Sequence, residues 1–219
     1  MKTAVILSGG DIDHDFALAF LNKTEYKFLI GADQGIHFLH QQRIFPTHIV
    51  GDFDSADQKE LDDFKKNTQI SISAFQPEKD FTDTQIAVEL ALSLDSDKIY
   101  ILGGMGRRTD HFLANIRVLA IAEKAGVPCF LVDPWNRIRV ADRPLALRRS
   151  ECFGKYVSLF ALGGTVTGVT LTGFKYPLVD YRMTGDDPIG VSNEITEEEA
   201  KIDFSSGTLI VAESREHAE

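Results

Sequence analysis

The sequence predicts an α/β fold with a mostly parallel sheet flanked by helices, followed by a smaller all-β sandwich or roll. Three observations predict it. The first part of the chain alternates short β-rich runs with longer helix-like stretches, the signature of a parallel sheet. After Asp133-Pro134-Trp135-Asn136 that alternation stops, and strand follows strand across Gly-rich turns. The chain has 219 residues, of which 43% are apolar and 26% charged, a balance that supports one large or two small folded domains. We place the domains at 1–134 and 135–219.

The expected strands of the first domain are residues 4–7, 27–30, 48–50, 70–74, 98–102 and 128–131. Each is a short apolar run bounded by turn residues. Helices are expected over 33–41, 56–66, 82–94 and 110–125. Ile86, Val88, Leu90, Ala91 and Leu94 form a broad apolar face on the third of these. Phe112, Leu113, Ile116, Leu119 and Ile121 do so on the fourth. Thr82 or Asp83 can cap the third helix and Asp110 the fourth. In the second domain, strands are expected at 138–141, 156–161, 166–170, 190–193 and 208–211. The acidic run Glu194-Ile195-Thr196-Glu197-Glu198-Glu199 reads as a solvated connection, and residues 213–219 as a frayed, exposed tail.

Composition narrows the function classes. A net charge of −10 argues against a broad nucleic-acid-binding face. It is compatible with a nucleotide ligand, because a metal and a few Arg or Lys can invert the local field. The chain has 2 cysteines, Cys129 and Cys152, in no metal-binding or redox spacing; they read as small hydrophobes of a reducing compartment. The first apolar run ends at Ser8-Gly9-Gly10, too early for a signal peptide. No run approaches the roughly 18 apolar residues of a membrane span. The expected setting is cytoplasmic.

The chemistry concentrates in loops that leave the expected parallel strands, where all reach one edge of the sheet. Asp33 lies in Gly31-Ala32-Asp33-Gln34-Gly35. In Gly51-Asp52-Phe53-Asp54-Ser55, an extended backbone points Asp52 and Asp54 the same way, toward one ion; a helix cap is the competing reading. Lys79-Asp80-Phe81-Thr82-Asp83 puts a cation, carboxylates and a hydroxyl at a helix mouth, where phosphate and metal can be held together. Gly103-Gly104-Met105-Gly106-Arg107-Arg108 has the context of a phosphate loop, with close-approach glycines and forked Arg donors. It is neither a Walker A loop nor a dinucleotide fingerprint. Asp110 and His111 follow. Clustered carboxylates suit Mg²⁺, and the cationic loops beside them suit its complex with a nucleotide.

In order along the chain, these motifs resemble those of the thiamine pyrophosphokinase family. The resemblance runs through Gly31-Ala32-Asp33, Gly51-Asp52-Phe53-Asp54-Ser55, Glu78-Lys79-Asp80-Phe81-Thr82-Asp83-Thr84, the Gly-rich loop, Asp110-His111 and Ala114-Asn115-Ile116. It continues through Leu171-Thr172-Gly173-Phe174-Lys175-Tyr176-Pro177-Leu178 and Gly190-Val191-Ser192-Asn193-Glu194. It implies an ATP- and Mg²⁺-binding catalytic domain, a thiamine-binding β domain and a homodimer with sites at its interface. The implied reaction is thiamine plus ATP giving thiamine diphosphate plus AMP.

On that resemblance, Asp52, Asp54, Asp80 and Asp83 are assigned to Mg²⁺ and catalysis. Asp33, Ser55, Lys79, Thr82, Gly104, Gly106, Arg108, Asp110, His111 and Asn115 are assigned to the nucleotide, and Ser192 and Asn193 to thiamine. The proton acceptor is left open between Asp83 and Asp54. Trp135, at the domain junction, is equally a core residue or an aromatic surface for thiamine. The chain departs from the family at Arg107, where the usual residue is glycine, and at Gln34. If the backbone at Arg107 needs positive φ, arginine there costs on the order of 1 kcal/mol. The competing functions are a diphosphokinase acting on a hydroxymethyl pterin, a non-catalytic nucleotide or thiamine sensor, and an Asp-dependent phosphatase.

Overall fold

The computed structural model describes residues 1–51, 58–66, 70–74 and 81–216. The chain divides into two compact units, Met1–Pro134 and Trp135–Glu219.

In the first unit the strands are β1 (Thr3–Leu7), β2 (Phe28–Ala32), β3 (His48–Gly51), β4 (Ser71–Ala74), β5 (Lys98–Leu102) and β6 (Cys129–Val132). They pair in parallel in the order β6-β5-β1-β2-β3-β4. All of β1 is buried, as expected for a central parallel strand covered on both faces. The order turns back at β1: the chain builds outward through β2, β3 and β4, then returns to place β5 on the other side. The loops after β1 and β5 therefore diverge and leave a crevice at the carboxyl end of the sheet, where open α/β sheets bind ligands.

The helices are α1 (His14–Lys23), α2 (Gln34–Gln41), α3 (Gln58–Lys65), α4 (Asp83–Ser93) and α5 (Thr109–Lys124). Thr82 caps α4 by accepting from the Gln85 N–H at 3.2 Å. Asp110 does not cap α5; that helix starts one residue earlier, with Arg108 at the cap position and Asp110 in the first turn. The unexpected helix is α1. Asp13 caps it, accepting from the Phe16 N–H at 2.9 Å, and Ala17 and Leu21 bury its inner face.

The second unit is antiparallel. Strands β7 (Asn136–Ala141), β9 (Tyr156–Ala161), β12 (Asn193–Glu194) and β14 (Leu209–Ser214) run in the order β12-β9-β14-β7. A second sheet has β8 (Leu145–Arg148), β10 (Val166–Thr172), β11 (Leu178–Met183) and β13 (Glu199–Asp203) in the order β11-β10-β13-β8. Val157, Leu159, Leu209 and Val211 of the first sheet share one core with Val169, Leu171, Met183, Ala200 and Ile202 of the second. This alternation of inward apolar and outward polar residues is what a sandwich requires.

Three sequence expectations fail here. Of the strand expected at 190–193, only Asn193 lies in a strand, β12. Residue 213 is not part of a frayed tail: Glu213 sits in β14 at 1% exposure. Its carboxylate accepts from Arg137 Nε at 2.9 Å, Arg137 Nη2 at 2.7 Å and the Phe153 N–H at 2.9 Å. Ion pairing makes burial of that charge tolerable. The acidic run also enters the sheets at both ends, with Glu194 in β12 and Glu199 in β13. Lys175 holds Glu194 at 2.8 Å.

Cys129 and Cys152 are free thiols. Burial, and then the Glu213 charge, push the Cys152 thiol up to about 11. Among the described residues, no helix is long and apolar enough to cross a membrane.

Candidate active site

The crevice at the turn in strand order is a cleft of about 330 Å³. Ser8, Gly9 and Gly10 enter it from the end of β1, Asp33 from the end of β2, and residues 81–84 from the start of α4. Gly103, Gly104, Gly106, Arg107 and Arg108 come from the loop after β5, with His111 and Asn115 on α5.

Backbone hydrogen bonds clasp the two diverging loops. Ser8 N donates to Leu102 O at 2.8 Å, Gly10 N to Gly103 O at 2.6 Å, and Asp11 N to Met105 O at 3.2 Å. Ser8 Oγ and Thr84 Oγ1 lie 2.6 Å apart in a buried contact that ties α4 to β1. Asn115 is 5% exposed, and its Nδ2 donates to the Gly104 carbonyl at 2.9 Å. That bond fixes the Gly-rich loop against α5.

Asp33 carries a conformation rare for a residue with a side chain, φ 51 and ψ −133. Such backbone costs on the order of 1–3 kcal/mol and clusters at functional sites. Its carboxylate makes no capping bond to α2, although it occupies the cap position. It lies instead over Gly9, where a Cβ would come within 1.9 Å of Oδ2. Glycine at position 9 is thus what lets the carboxylate into the cleft. Asp33 and Asp83 line the cleft together, beside the N-terminal, positive end of α4.

Arg107 also has positive φ, 49, so the arginine carries left-handed strain of about 1 kcal/mol relative to glycine. Its Nε pairs with Asp11 Oδ1 at 2.6 Å. Arg108 turns to Asp110 in a forked pair, Nε–Oδ1 3.1 Å and Nη2–Oδ2 2.5 Å. The Arg108 hydrogen bonds hold the Asp110 carboxyl down to about 2. The same pair raises the Arg108 guanidinium.

Of the residues assigned from sequence, the cleft brings together Asp33, Thr82, Asp83, Gly104, Gly106, Arg108, His111 and Asn115. Asp110 is not among the lining residues and touches the site through Arg108. Asp52, Asp54, Ser55, Lys79 and Asp80 lie outside the described residues. In the second unit, Ser192 is exposed at φ 56, and its N–H donates to Ser158 Oγ at 2.9 Å. Asn193 is buried. Its Oδ1 accepts from the Tyr176 and Glu194 N–H groups and its Nδ2 donates to the Tyr176 carbonyl, clamping that turn to β12. Sequence reasoning did not assign Ser8, Gly9, Gly10 and Thr84 to the site. The Ser-Gly-Gly directly after the first strand was the signal available for the first three, and Thr84 closes the Glu78–Thr84 motif.

Among the described residues no group of three or more His, Cys, Asp or Glu side chains is placed to hold a metal ion. The cleft nonetheless carries carboxylate and hydroxyl oxygens from Asp33, Asp83, Ser8, Thr82 and Thr84, with the His111 imidazole beside them and no thiol, and the oxygen donors fit a hard cation.

A switch-point cleft with an acidic wall, a helix N-terminus and an arginine-bearing Gly-rich loop defines a phosphate-handling α/β enzyme, here joined to a β-sandwich unit. Comparison with known proteins is more specific. Residues 20–131 match the family described as thiamin pyrophosphokinase, catalytic domain, and residues 144–209 match its vitamin B1 binding domain. The chain belongs to the thiamin pyrophosphokinase family.

It is 32% identical over 214 residues to the thiamine pyrophosphokinase of Bacillus subtilis, covering 98% of this chain and 99% of that protein. The crystal structure of thiamine pyrophosphokinase from Bacillus subtilis superposes with a TM-score of 0.84 at 31% identity, covering 98% of this chain and 100% of the other. That from Geobacillus thermodenitrificans gives 0.83 at 27% identity, covering 99% of each.

Proposed function

We propose that this chain transfers the diphosphoryl group of ATP to the hydroxyl of thiamine, giving thiamine diphosphate and AMP. The observation that carries the reading is the cleft: Asp33, Asp83, the α4 N-terminus and the Gly103–Arg108 loop converge in a chain of this family.

The hydroxyl oxygen attacks the β-phosphorus, a new O–P bond forms, and the bond from that phosphorus to the α–β bridging oxygen breaks. The pair of electrons leaves on AMP, and the hydroxyl proton passes to a carboxylate, Asp83 or Asp54. Such a reaction needs positioning and charge neutralisation more than covalent chemistry from the protein. Backbone N–H groups of the Gly-rich loop and the Arg108 guanidinium hold the polyphosphate, and Lys79 adds a further cation. Asn115 keeps that loop in place, while Asp110 orients Arg108. Mg²⁺, when held by Asp52, Asp54, Asp80 and Asp83, supplies neutralisation of phosphate charge. Asp33 supports that set, its carboxylate aimed by strained backbone.

The match of residues 144–209 to a vitamin B1 binding domain favours thiamine over a pterin as acceptor. Ser192 and Asn193 are assigned to it. Because the amide of Asn193 is engaged with Tyr176, its part is to shape the turn on which the exposed Ser192 sits. A homodimer with sites at its interface and a cytoplasmic setting complete the proposal.

Turnover with different acceptors tests it. AMP should form from ATP with thiamine, but neither with a hydroxymethyl pterin nor without acceptor. Asp83→Ala should abolish AMP formation while the protein still melts cooperatively. AMP release with the pterin alone, or phosphate release without any acceptor, would transfer the chain to one of the competing activities.

A further inference from the structure

We propose that Arg107 is a nucleotide-binding residue held in waiting by Asp11, and that its guanidinium exchanges the Asp11 carboxylate for a phosphate oxygen when ATP enters. The proposal rests on the reading of the cleft as an ATP site and adds a residue to it.

Arg107 stands at positive φ, where glycine would be unstrained. Its ion pair with Asp11 does not explain why it is tolerated. The two side chains are 68% and 58% exposed, so water screens their attraction. Burial does not explain it either, because an exposed side chain gains little from packing. A charged ligand does. Phosphate offers more negative charge than one carboxylate, and its oxygens match the forked guanidinium donors.

The placement of Asp11 fits a stand-in. Its N–H bonds to Met105 O in the Gly-rich loop, and its carboxylate covers Gly106, where a Cβ would lie 2.8 Å from Oδ2. An acidic group thus rests on the loop face that an incoming phosphate approaches. Arg107 also belongs to the walls of both the cleft and an adjoining cavity of about 410 Å³ that includes Gln34, His37 and Gln41. From that shared wall it can meet a phosphate chain lying in the cleft once Asp11 lets go.

The test is calorimetric binding of ATP, inorganic tripolyphosphate and adenosine to the full chain, for wild type, Arg107→Gly, Arg107→Lys and Asp11→Asn. Losing one charge-assisted contact should weaken ATP and tripolyphosphate about tenfold in Arg107→Gly, leave adenosine unchanged, and be partly restored in Arg107→Lys. Asp11→Asn should tighten ATP several-fold, since the competitor is gone. Unliganded Arg107→Gly should melt higher than wild type. Equal ATP affinity in wild type and Arg107→Gly would overturn the role of Arg107 and leave the site reading intact. Equal weakening of adenosine and ATP would assign the effect to loop shape and also overturn it. Wild-type protein that binds no ATP would overturn the site reading itself.

Discussion

Replacing Asn115 by alanine separates the framework of the cleft from its chemistry. Asn115 is 5% exposed, and its one strong contact into the loop is the 2.9 Å bond to the Gly104 carbonyl, which is itself buried. Deletion removes a bond worth about 1 kcal/mol net and leaves a buried acceptor unsatisfied, for a total of about 2–3 kcal/mol. For a chain of this size that is a fall in Tm of roughly 4–12 °C. The Gly-rich loop loses its tie to α5, so KM for ATP should rise together with the loss of stability. Asn115→Asp keeps the size but sets two acceptors against each other at neutral pH. Its deficit relative to wild type should shrink as the pH falls and the new carboxyl protonates into a donor. Thermal melts across pH and steady-state kinetics read both effects. An Asn115→Ala protein melting within 1 °C of wild type with unchanged KM for ATP would refute the idea that this bond holds the loop.

Other outcomes follow from the same geometry. Thr82→Ala removes the cap of α4 and should cost about 1 kcal/mol, read as a shift in the urea midpoint; no shift would mean that the Gln85 N–H is satisfied equally well by water. Glu213→Gln should destabilise the chain by about 3 kcal/mol, because an amide N–H₂ would face the Arg137 or Phe153 donors in a buried position, and a loss below 1 kcal/mol would contradict the pairing. The Asp110 carboxyl should titrate at about 2 by carbon-detected NMR and return toward the ordinary range in Arg108→Ala. Because the folded value is depressed, the contribution of that pair is complete above about pH 4 and is lost as the pH falls toward 2. A wild-type midpoint near 4 would show that the pair does not form in solution.

The parallel sheet was legible because its strands are short apolar runs and their loops carry the polar residues. Strands β1 to β6 lie within a few residues of the expected positions. Helix α1 was missed although Asp13 caps it, since Phe16, Ala19 and Phe20 blur its apolar face. Strands β8, β11 and β13 were missed for a different reason. Each carries charge on its outer face; β8 and β13 are decided by pairing with residues far along the chain, while β11 is an edge strand in a hairpin with the preceding β10, where irregular register obscures the alternation. Glu213 shows the same effect in a single residue: a terminal acid reads as solvated until Arg137, 76 positions away, is brought beside it.

At the cleft, residue types pointed to phosphate and metal, and the order of motifs pointed to the family. The backbone that aims Asp33 over Gly9, and the Asp11 carboxylate on Gly106, depend on contacts between loops that no local pattern encodes.

In the proposed reaction both outer phosphates of ATP move together to thiamine. ATP labelled at the γ-phosphorus, incubated with this protein, thiamine and Mg²⁺, tests it most directly. Label should appear in thiamine diphosphate, with one AMP formed per labelled product and no ADP. Label appearing in thiamine monophosphate with ADP as the other product, or in inorganic phosphate, would contradict it.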